Sequence, residues 1–131
     1  MQQLLAQQLL TIAAGGALGA IARFGLTAYA YPVFENRFPL GTFLANFLGS
    51  LLIGICYVLI VEKEVLSPEW RNFLMTGFLG AFTTFSTFSL DTLNLWQNGH
   101  FTAAVGYSVL SVTTCLIAVA VGAAVTLKFL N

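Results

Sequence analysis

The chain has 131 residues, of which 58% are hydrophobic and 8% charged, with five basic and five acidic side chains. A soluble domain is nearer a quarter charged, and a water-soluble core this small would struggle to hide so much apolar side chain. Zero net charge also excludes nucleic acid, whose phosphates call for clustered Lys and Arg. What remains is a membrane protein, expected to be all-α.

A membrane helix needs ~20 mostly apolar residues. Four segments meet that length, so the chain reads as one integral membrane domain, 1–131, with spans at about 9–31, 40–61, 70–96 and 102–130. Before the first span lie Gln2, Gln3, Gln7 and Gln8, with no Lys or Arg. A cleaved signal peptide would carry a basic segment there. Between the first two spans, Tyr31 to Pro39 is a turn with two prolines. The second connection, 62–69, is the charged one, and its Ser67-Pro68-Glu69 predicts a helix start. Gln97-Asn98-Gly99-His100 closes the third. Tyr29, Tyr31, Trp70 and Trp96 fall near span ends, where interfacial aromatics belong.

Small residues recur at helical spacing: Gly15 with Gly19, Ala45 with Gly49, Ser50 with Gly54, and Ala118 with Gly122. They let membrane helices approach closely. An even number of spans puts both termini on one side, with Lys63, Arg71 and Lys128; Arg37, and Arg23 near it, belong to the other. Three against two is almost no positive-inside bias. Such a chain is able to insert both ways, and its natural assembly is an antiparallel dimer. Four helices alone hardly enclose a water-accessible path, and two copies solve that problem.

Polar residues inside the spans carry the functional signal, because lipid offers no hydrogen-bond partners. Arg23 either snorkels to the interface or lines a water-filled vestibule where it concentrates anions. Asn46 either bonds a neighbouring helix or offers its amide to a passing anion. Residues 76–89, TGFLGAFTTFSTFS, hold four Thr, four Phe, two Ser and two Gly without a charge. Gly77, Gly80 and the β-branched Thr83, Thr84 and Thr87 weaken that helix. A break near Gly80 to Thr83 would free carbonyls able to bind a cation; a kinked, intact helix is the alternative. Phe85 and Phe88 either pack together or aim their positive ring edges into a narrow path, with Ser86 and Thr87 as donors between them. On the last span Tyr107, Ser111 and Thr114 form a hydroxyl stripe with Ser108 beside it. Asp91, one turn beyond Phe88, reads as an interfacial acid or a helix–helix contact, and His100 as a loop residue. Cys56 and Cys115 stand alone in apolar runs and read as packing residues.

Taken together, Gly15 to Phe24 (GGALGAIARF), Gly41-Thr42 through Asn46 to Gly49, and Thr76 to Ser89 resemble the Fluc (CrcB-like) family of fluoride channels. The Phe-Ser-Thr-Phe-Ser of 85–89 is the most specific part. The resemblance implies an antiparallel, dual-topology homodimer in the plasma (inner) membrane, with two fluoride pores that passively export cytoplasmic fluoride. It implies that Asn46 donates to fluoride, that Phe85 and Phe88 form an aromatic box with Ser86 and Thr87 beside the path, and that Arg23 stands at the vestibule. Tyr107 and Ser111 extend the path. Backbone carbonyls of Gly80 and Thr83 from both subunits would hold a central structural sodium ion. Family members often have Gly-Gly where this chain has Gly80-Ala81; backbone ligation makes the site robust to that change.

The physics suits fluoride. A small, tightly hydrated anion needs strong uncharged donors that replace water and still let it leave. A proton-coupled exporter of cationic drugs would want a membrane-embedded carboxylate, and the first three-quarters of the first span has none, its one ionisable residue being Arg23. A non-conducting assembly subunit explains the small residues but not the hydroxyl-rich segment. For an enzyme, no nucleophile–base pair or metal-ligand cluster is visible.

Overall fold

The computed structural model describes residues 1–30 and 38–131. The turn between the first two spans, with Tyr31 and Arg37, lies outside the described residues. Helix α1 runs Gln2–Ala30, and α2 runs Leu40–Tyr57 before a π-helical turn, Val58–Glu62. Half-helix α3 comprises a π-helical stretch, Arg71–Leu79, and one α-turn, Gly80–Phe82. Half-helix α4 is Phe85–Gln97 and α5 is Phe101–Leu130. Counting α3 and α4 as one crossing, four helices are long and apolar enough to span a membrane. Among the described residues there is no strand. Helix α1 begins seven residues before the apolar run, because Gln is a good helix former and the polar turns extend an established helix.

Two pairs organise the bundle: α1 lies along α3, and α2 along α5. Small residues make both contacts possible. Gly15 and Gly19 are buried against the α3 backbone, where a Cβ on Gly19 would stand 3.0 Å from Phe78 Cα. Gly54 and Gly122 are buried at the α2–α5 crossing, each against backbone of the other helix near Val119 and Leu51. Ala45 and Ala118 are buried beside them. Most Leu, Val and Ile face outward, as they do when the solvent is lipid.

The connections follow local chemistry. Trp70 N–H donates to Ser67 O at 3.1 Å and Arg71 N–H to Pro68 O at 3.1 Å, which starts α3 where the Ser-Pro-Glu triplet predicts. At the other end of that crossing Gly99 takes φ +78°, the left-handed conformation that a glycine adopts without strain. Its N–H donates to Trp96 O and His100 N–H to Leu95 O, closing the carbonyl end of α4. Lys63 Nζ donates to Asn131 Oδ1 at 2.7 Å and ties the second loop to the end of α5. Trp70 and Trp96 are half-exposed at their span ends and Tyr29 more so.

Candidate functional site

The third crossing is broken. Thr83 (φ −83°, ψ 156°) and Thr84 (φ −153°, ψ 113°) are extended, so the chain turns out of α3 and re-enters a helix at Phe85. Threonine chemistry explains both ends. Thr83 sends its N–H and its hydroxyl to the same acceptor, Leu79 O, at 3.0 and 2.9 Å, which finishes α3. Thr84 caps α4: its Oγ1 accepts from Thr87 N–H at 3.2 Å.

The break redirects two backbone donors. In a continuous helix Thr84 N–H would serve Gly80 O; here it donates to Asn46 Oδ1 at 2.7 Å. Likewise Thr87 N–H would serve Thr83 O but goes to the Thr84 hydroxyl. The carbonyls of Gly80 and Thr83 thereby lose their helical partners, while those of Leu79, Ala81 and Thr84 are engaged. Arg23 Nε donates to Ala81 O at 3.0 Å, and Asn46 Nδ2 to Thr84 O at 3.0 Å. Gly80 is exposed on the surface of the single chain.

Asn46 thus joins α2 to the break with both ends of its amide. One Nδ2 hydrogen is used, and the second remains for another acceptor. Arg23 turns inward from α1 to the α3 backbone instead of snorkelling along the lipid face, which holds its positive charge beside the break. Its carbonyl accepts from the Thr27 hydroxyl.

From the break a groove of about 360 Å³ opens along α2 and α5, lined by Asn46, Thr83, Phe85, Phe88, Ser111 and Cys115 among others. Phe85 and Phe88 stand 5.4 Å apart between ring centroids, tilted by 43°. Phe88 packs on Tyr107 at 5.3 Å, and Phe38 meets the other side of Tyr107 edge-on at 5.3 Å. The two predicted rings differ in setting: Phe85 is 76% exposed, whereas Phe88 belongs to the small core with Leu95, Ala104 and Tyr107.

Hydroxyl protons can be counted. Thr84 donates to Thr87 Oγ1 at 3.0 Å, so the Thr87 proton is left to point elsewhere. Ser86 is exposed beside it, 3.3 Å from Thr84 Oγ1. Thr114 is self-satisfied on Leu110 O at 2.7 Å, and Ser108 on Ala104 O at 2.9 Å. Tyr107 Oη and Ser111 Oγ, by contrast, are buried without a hydrogen bond. An orphan hydroxyl is costly at such depth, so this pair marks a place that favours a polar guest.

The sequence pattern of the family described as CrcB-like protein, Camphor Resistance (CrcB), matches residues 10–123. The chain belongs to this family. A fluoride-specific ion channel FluC of Saccharophagus degradans is 50% identical over 119 residues, 91% of this chain and 89% of that protein. The protein of that name from Hahella chejuensis is 46% identical over 118 residues, 90% and 93% of the two chains. One from Hydrogenovibrio crunogenus is 45% identical over 122 residues, 93% and 92%.

Beyond the residues read from sequence as the path, this CrcB-like chain adds Thr42 and gives Asp91, read as an interfacial acid or a helix–helix contact, its neighbours. The Thr42 and Tyr107 hydroxyls approach the Asp91 carboxyl group, yet Asp91 Oδ2 has no hydrogen bond and is buried. Thr42 itself is 4% exposed. A buried Thr and a carboxylate on two different spans were not linked by any spacing in the sequence; the outward signal was only that Asp91 lies inside an apolar run. Among the described residues no three His, Cys, Asp or Glu side chains gather into a metal-ligand group.

Proposed function

We propose that the chain is a fluoride-selective channel that lets the ion leave the cytoplasm passively, as two pores in an antiparallel, dual-topology homodimer. The observation that carries this reading is the break at Thr83–Thr84, clamped by Asn46 and opening onto a groove with uncommitted donors. The free Nδ2 hydrogen of Asn46, the Thr87 proton and the exposed Ser86 hydroxyl offer strong, uncharged bonds. The Phe85 and Phe88 rings add positive edges that attract an anion without trapping it. Ser111 supplies a further donor that nothing in the chain uses, and Tyr107 a hydroxyl that lies near Asp91. Arg23, beside the break, raises the local anion concentration. The names of the similar proteins from Saccharophagus degradans and Hahella chejuensis support fluoride as the ion.

Exposure supports the dimer. Gly80, Phe85 and Ser86 are uncovered in one chain, although they belong to the polar break that lipid cannot solvate. A second copy meeting the first at the break would cover them. The carbonyls of Gly80 and Thr83, stripped of helical donors, suit a sodium ion shared between copies. Oxygen ligands alone, without carboxylates, fit a monovalent cation, and such an ion supplies fixed positive charge at the centre of the assembly. A transport role leaves no chemistry for an enzyme to perform.

The test is anion efflux from liposomes holding the purified protein. Fluoride should leave rapidly and chloride should not. Equal efflux of both ions, or neither, from a monodisperse preparation would overturn the reading.

A further inference from the structure

Tyr107 is 1% exposed, yet its hydroxyl does not fix its ring: Oη is buried near Asp91 and Thr42 without a hydrogen bond. The orientation of such a ring falls to the side chains packed on it. Among the described residues two rings pair with it. Phe88, from α4, stands 5.3 Å away and tilted by 42°; Phe38, at the head of α2, stands 5.3 Å away at 89°. The second is the edge-to-face arrangement that aromatic quadrupoles favour, so it resists rotation as well as separation. Phe38 is itself held. The proline that follows it restricts its backbone. Leu40 N–H donates to Phe38 O at 2.7 Å, and Phe43 N–H to Pro39 O at 3.0 Å, which fixes the entry into α2. The Phe43 ring meets the Phe38 ring at 5.6 Å and 65°.

The rings Phe38, Tyr107, Phe88 and Phe85 therefore form one row, from the head of α2 to the groove beside the break, with neighbouring centroids 5.3, 5.3 and 5.4 Å apart. Phe85 and Phe88 line that groove; Phe38 does not, so it acts on nothing there directly. In a close-packed row, movement of one ring is passed to the next. We propose that Phe38 is a positioning residue for the ion path: through Tyr107 it fixes the tilt at which Phe88 presents its edge to the groove. This rests on the reading of Phe88 as a path residue. Leucine at this position fills much of the space but offers no edge, so Tyr107 and Phe88 lose their single orientation. Tyrosine keeps the ring and with it the row.

The experiment reads the Phe88 ring and the flux separately. Purified protein carries 3-fluorophenylalanine in place of Phe88, introduced by nonsense suppression, and its fluorine resonance is recorded in fluoride-free detergent. A held ring keeps its two meta positions distinct and gives two resonances; a ring that turns freely gives one between them. The parent and Phe38→Tyr should show two, and Phe38→Leu one. Fluoride efflux from liposomes holding the unlabelled proteins should fall about fivefold in Phe38→Leu and stay within about twofold of the parent in Phe38→Tyr. Gel filtration confirms that each protein is intact, and Phe38→Met, equally ringless, replaces the leucine variant if that one does not fold. A single resonance in the parent overturns the proposal. So do two resonances in the ringless variants, or parental flux in them. A parent that passes no fluoride overturns the channel reading itself, and any role on a path with it, whatever the resonances show.

Discussion

Asn46 and Thr84 exchange two hydrogen bonds, Nδ2 to Thr84 O at 3.0 Å and Thr84 N–H to Oδ1 at 2.7 Å, so one side chain of α2 stands in for the helix turn that the third crossing lacks. Sequence reasoning left open whether this amide bonds a neighbouring helix or faces an anion. The geometry allows both at once, because an amide has two N–H donors and only one is used. Asn46→Asp keeps the acceptor for Thr84 N–H but loses the donor and places a negative charge on the proposed path. It should abolish fluoride efflux and lower stability by about 1–3 kcal/mol. Efflux from liposomes read beside thermal unfolding in detergent checks both parts.

The two rings of the proposed aromatic box are separable because they are buried so differently. Phe85→Ile should change the stability of one chain by no more than about 0.5 kcal/mol, since the ring is 76% exposed there, and any larger loss would read its cover by the second copy. Phe88→Ile loses its packing on Tyr107 and should cost about 1–2 kcal/mol. Both should cut fluoride flux steeply, because isoleucine keeps apolar bulk without a positive ring edge. Flux that tracks stability, with Phe85→Ile near normal, would reduce the pair to packing.

Much of this was legible in the sequence, for identifiable reasons. Apolar runs of span length mark four crossings whatever their partners. The helix weakness of Gly80 to Thr83 left a break or a kinked helix open, because backbone propensity is local, and the extended residues are Thr83 and Thr84. The Ser67-Pro68-Glu69 and Gly99 punctuation marks the ends of the third crossing in the same way. What the sequence left open depends on contacts between spans. Arg23 turning to Ala81 rather than to the lipid surface is decided by the position of α3, not by anything within α1. The gathering of Thr42, Asp91 and Tyr107 joins residues of α2, α4 and α5 that no periodicity relates. The π-helical windings at Val58–Glu62 and Arg71–Leu79 were equally unforeseen: Gly77 marks a weak helix but not the way it winds.

Tyr107 and Ser111 offer a test with little structural confusion. Ser111 Oγ is buried without a hydrogen bond, so Ser111→Ala removes no bond within the chain, whereas Tyr107→Phe takes a hydroxyl away from Asp91 and Thr42. Ser111→Ala should be as stable as the parent or gain up to about 1 kcal/mol, and Tyr107→Phe should lose about 1 kcal/mol. Fluoride flux should nevertheless fall if these hydroxyls serve the ion. Unchanged flux in both variants would take both residues off the path.

The proposed central cation is testable through the residues proposed to hold it. Because the oxygens of Gly80 and Thr83 are backbone atoms, Thr83→Ser should preserve the site; its hydroxyl can still donate to Leu79 O and end α3 as Thr83 does. Thr83→Val removes that donor and should weaken the break and the dimer together. Purification with sodium replaced by a bulky organic cation should lower flux in the parent and in Thr83→Ser alike, with recovery on returning sodium. Flux indifferent to sodium in both proteins would argue that the freed carbonyls serve something else.

Dual topology rests on the near balance of Lys63, Arg71 and Lys128 against Arg37 and Arg23, Arg37 being outside the described residues. Orientation follows the Lys and Arg excess in short loops, so a balance this fine can be tipped by a few charges. Three Lys added to the 62–69 loop should drive nearly all chains into one orientation. Expressed alone, that variant would lack antiparallel partners and should lose fluoride transport. Co-expression with a chain biased the other way, by three Lys in the 31–39 turn, should restore it. Reporter fusions at the C-terminus read the orientation, and liposome efflux reads the function. A single fixed orientation in the unmodified chain, or full transport by the Lys-loaded chain alone, would exclude the antiparallel pair.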